Sequence, residues 1–122
     1  MGIRGPKKRV HKTNILFRQW KMIFYSSEEY VKQVADDSIA ETDDEARIIY
    51  FDIGALTPEL VRHELGHAYL AEMSFVALQI TPDQYEEFFC ELLAKYGEIL
   101  VKQAGKIYKV GKRGSNAKKE NR

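Results

Sequence analysis

From residue 82 to residue 104 the apolar side chains recur at helical spacing. Tyr85, Phe88, Phe89, Leu92, Leu93, Tyr96, Ile99 and Leu100 gather on one broad face, the pattern of a helix packed on one side. The run opens with Thr81-Pro82-Asp83, and an earlier stretch opens the same way with Thr57-Pro58-Glu59. In each, threonine caps free amides, proline suits the first helical position, and the acid meets the positive helix end. Helices are therefore predicted from Pro82 to Ala104 and from Pro58 to about Ser74. Upstream, Asn14 to Tyr25 mixes apolar and basic residues and reads as a strand. Ser26-Ser27-Glu28-Glu29 then starts a short helix, with Tyr30, Val31 and Val34 at helical spacing, ending near Ala35. Ser38–Glu41 and Arg47–Asp52 flank the acidic turn Thr42-Asp43-Asp44-Glu45 and predict a β-hairpin. The architecture expected is α+β, with a small antiparallel sheet packed on the 58–74 helix and the long helix after it.

The helix starting at Pro58 carries the run Arg62-His63-Glu64-Leu65-Gly66-His67-Ala68-Tyr69. It contains His-Glu-x-x-His. Two histidines four residues apart lie on one helical face and can hold one zinc ion, with the glutamate beside the metal to activate a water. Only three histidines occur in the chain, and two fall at this spacing. Leu60, Leu70 and Ala71 flank them, so this face is expected to be buried. Two buried imidazoles without a ligand would be costly. His63 and His67 are the expected metal ligands and Glu64 the expected general base.

Catalytic zinc usually takes three protein ligands and a water. His11 lies in a basic segment and is a poor third ligand. The metzincin pattern needs Gly at position 70 and His at position 73, where this chain has Leu70 and Met73. Cys90 is a candidate, but a carboxylate from the following helix is the commoner partner. At about 100° per residue, Glu86 falls at the border of the apolar face. Glu87 and Glu91 fall with Glu98 on the wet side. Glu86 is the expected third ligand and Glu87 the alternative.

These residues resemble a known group. Arg62–Tyr69 together with Glu86-Glu87-Phe88-Phe89-Cys90 is similar to small gluzincin-type zinc metallopeptidases of the phage and prophage kind, related to SprT-like and ImmA/IrrE-like proteins. The resemblance extends loosely to Ile48–Asp52 and covers about the middle half of the chain. It implies a minimal zincin core, one zinc ion and peptide-bond hydrolysis. In several such families Asp or Asn follows the third ligand by four residues. Here that position is Cys90 counted from Glu86, and Glu91 counted from Glu87. Neither an N-terminal DNA-binding module nor a C-terminal zinc ribbon accompanies the match.

Composition narrows the rest. The 122 residues suit one domain. A basic extension is expected at 1–13, the metallopeptidase domain at 14–110, and a disordered basic tail at 111–122. No apolar run is long enough to span a membrane and no signal peptide is visible, so the expected location is cytoplasmic. A single cysteine excludes an internal disulfide framework, and Cys90 reads as a small apolar filler. Trp20 and Tyr69 read as core. The net charge is only +1, but residues 1–21 hold no acid and residues 102–122 hold Glu120 alone. Both ends are thus cationic around an acidic centre. They can contact nucleic acid, although solvated termini are the favoured reading because no stacking aromatics accompany the charge.

Two functions of different class follow. One is a zinc metallopeptidase acting on a peptide or protein, either generally or on one specific partner. In such an enzyme an edge strand lines the metal cleft and an extended substrate adds to it. The other is a non-catalytic zinc-binding module whose basic ends bind nucleic acid or protein. Glu64 favours the first, since holding zinc does not require it.

Overall fold

Strand alternation assigns each sheet residue to one of two cores. Trp20, Met22 and Phe24 alternate along β2 (Arg18–Tyr25) and join Ile49 and Phe51 of β4 (Ile48–Asp52) on one face. The intervening Ile23 and Tyr25, with Ile48 and Tyr50, face the other way. The computed structural model describes residues 8–77 and 82–120. The remaining elements are β1 (Lys8–Ile15), β3 (Ala40–Asp43), α1 (Ser27–Gln33), α2 (Pro58–Ala77) and α3 (Pro82–Glu120), with a short 3-10 turn at Ile53–Ala55. The sheet order is β1-β2-β4-β3. Helix α1 covers one face through Tyr30 and Val34. Helices α2 and α3 cover the other, through Val61, Leu65, Ala68, Tyr69, Leu92, Ala104 and Ile107.

The fold is α+β as expected, with differences of local origin. The segment 14–25 is not one strand but the second half of a hairpin. Ile15 pairs with Arg18 across a two-residue turn. Leu16 takes φ 57° there, a conformation a bulky residue adopts only under tertiary constraint, and its side chain packs on the main core. Leu16-Phe17 carries no turn residue, which is why the turn was not legible. Residues 8–13, expected in a basic extension, belong to β1. The sheet is mixed rather than antiparallel, because β2 and β4 run parallel with α1 and β3 between them in sequence. The β3–β4 hairpin forms as predicted, but Thr42 and Asp43 extend the strand. The turn closes at Arg47 (φ 59°), with Asp43 accepting the Ala46 N–H at 3.0 Å.

Helix α3 continues to Glu120, through the predicted tail. Gly111 keeps it close to the sheet: a Cβ there would meet Leu56 at 2.6 Å and the Phe24 ring at 2.8 Å. The buried stripe of α3 is narrower than its apolar pattern. Leu92 is buried and Tyr96 and Leu100 half-buried, whereas Phe89, Leu93 and Ile99 are exposed. Cys90 is exposed as well, not a core filler. Tyr85, Phe88 and the Thr81 cap lie outside the described residues. Trp20 and Tyr69 are core, as expected.

Candidate metal centre

The buried arc of α2 is set by Val61, Leu65, Ala68 and Tyr69. At about 100° per residue, Glu64 stands roughly 60° from Val61, and His67 and His63 roughly 120° and 160° away. The glutamate is therefore drawn inward and the histidines outward. Glu64 is 7% exposed, the single buried charged residue among those described, while His63 and His67 are exposed. The expectation of a buried histidine face is corrected by that phase. Leu60, Leu70 and Ala71 are only half-buried. The imidazole rings meet edge to face with centroids 4.9 Å apart. His63, Glu64 and His67 each offer a ligand atom, all within 4.8 Å of one another. The two imidazole nitrogens are ligand atoms suited to a metal ion such as zinc, and the carboxylate oxygen stands beside them.

Glu64 is held from the sheet. Thr42 lies on the inward face of the edge strand β3, opposite Ile49. Its hydroxyl donates to Glu64 Oε1 at 2.6 Å. Between β3 and α2 opens a cleft of about 790 Å³, bordered by Thr42, Glu64, His67, Leu70 and Ala71 and rimmed by Glu41, Asp43 and Asp44. No described lysine or arginine pairs with Glu64 or with that rim. The field there is negative. Burial raises the Tyr50 phenol above its ordinary value, and Asp43 and Glu41 add to the shift. Tyr30 is raised chiefly by burial, opposed by its hydrogen bond with Ser38, with Glu41 and Glu64 contributing upward.

A second sheltered carboxylate lies two turns along the same helix. The Glu72 side chain is 7% exposed and takes the Arg47 Nε at 2.6 Å and the Trp20 indole N–H at 2.8 Å. Arg18 stands 3.9 Å away. This glutamate ties α2 to β2 and to the turn before β4.

The structure does not bring Glu86 to the histidines. It is exposed on the first turns of α3, as is Glu87, and neither belongs to the His63–Glu64–His67 group. The phase inferred for Glu86 sets it in line with Phe89, Cys90 and Leu93, and all four are exposed, because the buried stripe of α3 is narrower than its apolar pattern. The level of Glu86 along the axis differs as well. Tyr69, two residues beyond His67, donates its hydroxyl to Gln103 at 2.7 Å. Its ring also meets Tyr96 at 6.1 Å, so Glu86 lies ten to seventeen residues from the level of Tyr69, about 15–25 Å along the helix. Periodicity reports angle, not depth. Thr42 and Glu72 were missed. Extending the alternation of β3 by two residues would have turned Thr42 inward, and a lone acid in Leu70-Ala71-Glu72-Met73 is a signal for a buried ion pair.

Among the described residues no helix is long and apolar enough to cross a membrane. Comparison of the chain with protein-family models, with characterised proteins and with solved structures finds no match.

Proposed function

We propose that this chain is a zinc-dependent metallopeptidase of the small gluzincin-like kind that its motif resembles. The observation that carries the reading is a buried carboxylate with no cationic side chain beside it. Glu64 instead faces two exposed imidazoles at the free edge of a strand. His63 and His67 would hold the ion. Zinc in that position supplies Lewis-acid chemistry, lowering the pKa of a coordinated water toward about 7 and polarising a carbonyl. Glu64 takes the proton of the attacking water and returns it to the leaving amine. With Oε1 engaged by Thr42, Oε2 is the oxygen left to carry it. The free edge of β3 offers unpaired backbone groups to an extended peptide, which would lie beside the histidines as a further strand. Glu86 has no part in this assignment.

The non-catalytic zinc module is separated from this by one substitution. Glu64→Gln should retain about one zinc per chain by elemental analysis and lose cleavage of an unstructured protein such as casein, by about 10²–10⁴-fold. Undiminished cleavage would remove Glu64 from the chemistry. Absence of zinc from wild-type protein purified with the metal would remove the centre itself.

A further inference from the structure

The described parts of the two cationic segments, residues 8–15 and 101–120, lie in regular elements. They fold into neighbouring elements on one flank. Gln103 of α3 donates to Thr13 Oγ1 at 2.8 Å and to the Asn14 carbonyl at 2.7 Å, both on β1. Eight residues on, Gly111 abuts Phe24, which pairs with Arg9 of β1. Helix α3 thus runs antiparallel along β1, and it brings its bases alongside those of the strand.

On α3, Lys106, Lys109 and Arg113 are exposed and fall within about 60° of one another at 100° per residue. They form a single stripe facing away from the core. On β1, Arg9 is exposed on the face shared with α3, opposite Phe24, while Lys8 and Lys12 are exposed on the other face of this edge strand. None of these six has an ion-pair partner among the described residues, whereas Lys95 and Lys102, earlier on the same stripe, are each neutralised by the glutamate four residues before. No acid occurs from Lys8 to Ser27 or from Val101 to Lys119.

We infer that this flank of β1 and α3 binds the phosphate backbone of a double-stranded nucleic acid without regard to sequence. Unneutralised cations aligned on a rigid helix and strand match a linear polyanion. A single-stranded ligand would want exposed aromatic rings to stack on; among the described residues, Tyr108 of α3 is half-buried and the exposed Phe17 stands at the far end of β1, away from Lys106–Arg113. A membrane surface would want exposed apolar residues between the bases. Over this part of α3 the apolar residues Ala104 and Ile107 are buried in the core instead, which leaves Val10 of β1, 44% exposed, as the large apolar side chain standing among the described bases. The acidic rim of β3 lies at the other edge of the four-stranded sheet, about 14 Å away at the usual strand spacing. Repulsion there orients the duplex onto the basic flank and leaves the cleft clear. None of this depends on the chain being a peptidase.

The test is fluorescence anisotropy of the full chain with a labelled 24-base-pair duplex of mixed sequence, across 50 to 200 mM NaCl. With about five phosphates neutralised, affinity should fall roughly 10²–10³-fold over that range. K106E/K109E/R113E and R9E/K12E should each weaken binding at least about tenfold and flatten the salt dependence, while their thermal melts stay near wild type. K106Q/K109Q/R113Q should lie between, and Lys32→Glu on α1 should change nothing. No binding at 50 mM NaCl, or binding that the reversals leave intact, overturns the inference. So does binding to phosphatidylserine vesicles but not to the duplex.

Discussion

The two ends of α2 each bury a carboxylate, and they do so on opposite terms. Glu72 is enclosed by an arginine and an indole. Glu64 has a threonine hydroxyl and two imidazoles. A buried charge met by a cation and fully hydrogen-bonded is a structural joint, costly to break from one side. A buried carboxylate met by one neutral hydroxyl keeps its second oxygen free of that bond. One helix therefore separates its two functions by two turns. Its C-terminal half anchors α2 to the sheet, and its N-terminal half places Glu64 and His67 at the cleft.

Substitutions at the two glutamates should divide along the same line, Glu64→Gln in turnover as given above and Glu72→Ala in stability. The latter leaves the fully buried Trp20 indole N–H without an acceptor and part-buried Arg47 without its carboxylate. It should lower unfolding free energy by about 2–4 kcal/mol in urea denaturation. A Glu72→Ala protein as stable as wild type would erase the distinction.

Thr42 sharpens it. Thr42→Val keeps the shape and removes the hydroxyl, so Glu64 should lose its orientation. Expected is a fall in kcat of about tenfold, near 1.4 kcal/mol, with KM little changed, and recovery in Thr42→Ser. Loss of stability without loss of kcat would make Thr42 a packing residue only.

The smallest effect concerns acid. Burial lowers the pKa of His11 below its ordinary 6.5, so below pH 6.5 the unfolded chain binds the proton more readily than the folded one. Stability then falls as pH drops through 6.5 toward the folded value, and the penalty is absent above that window. His11→Gln should flatten this part of a pH-dependent urea series while leaving both glutamate phenotypes in place.

Much of the protein was legible in its residues. Threonine-proline-acid signals placed the starts of α2 and α3 at Pro58 and Pro82, because such signals act through local backbone geometry, whereas the ends run on to Ala77 and Glu120 beyond the expected Ser74 and Ala104. The i, i+4 histidines predicted ligand atoms that share one helical face, because helical spacing is local too. The hairpin at Leu16-Phe17 escaped because nothing in those side chains favours a turn. Its geometry is held by Leu16 packing on residues distant in sequence. The histidines' exposure and the displacement of Glu86 escaped for a related reason. A sequence states the angle of a residue around its helix, but only the antiparallel register of α2 on α3 fixes its height.

The sequence by itself determined the element types, the α+β class and a His-Glu-x-x-His run whose ligand atoms come together. Tertiary structure alone decided that β3 is the edge beside that face, that Thr42 reaches Glu64, and that β1 and α3 gather the basic ends on the opposite flank. Local propensity acts within a few residues of the chain, whereas these three relations join residues more than twenty apart. They come into being only when the apolar faces close on one another.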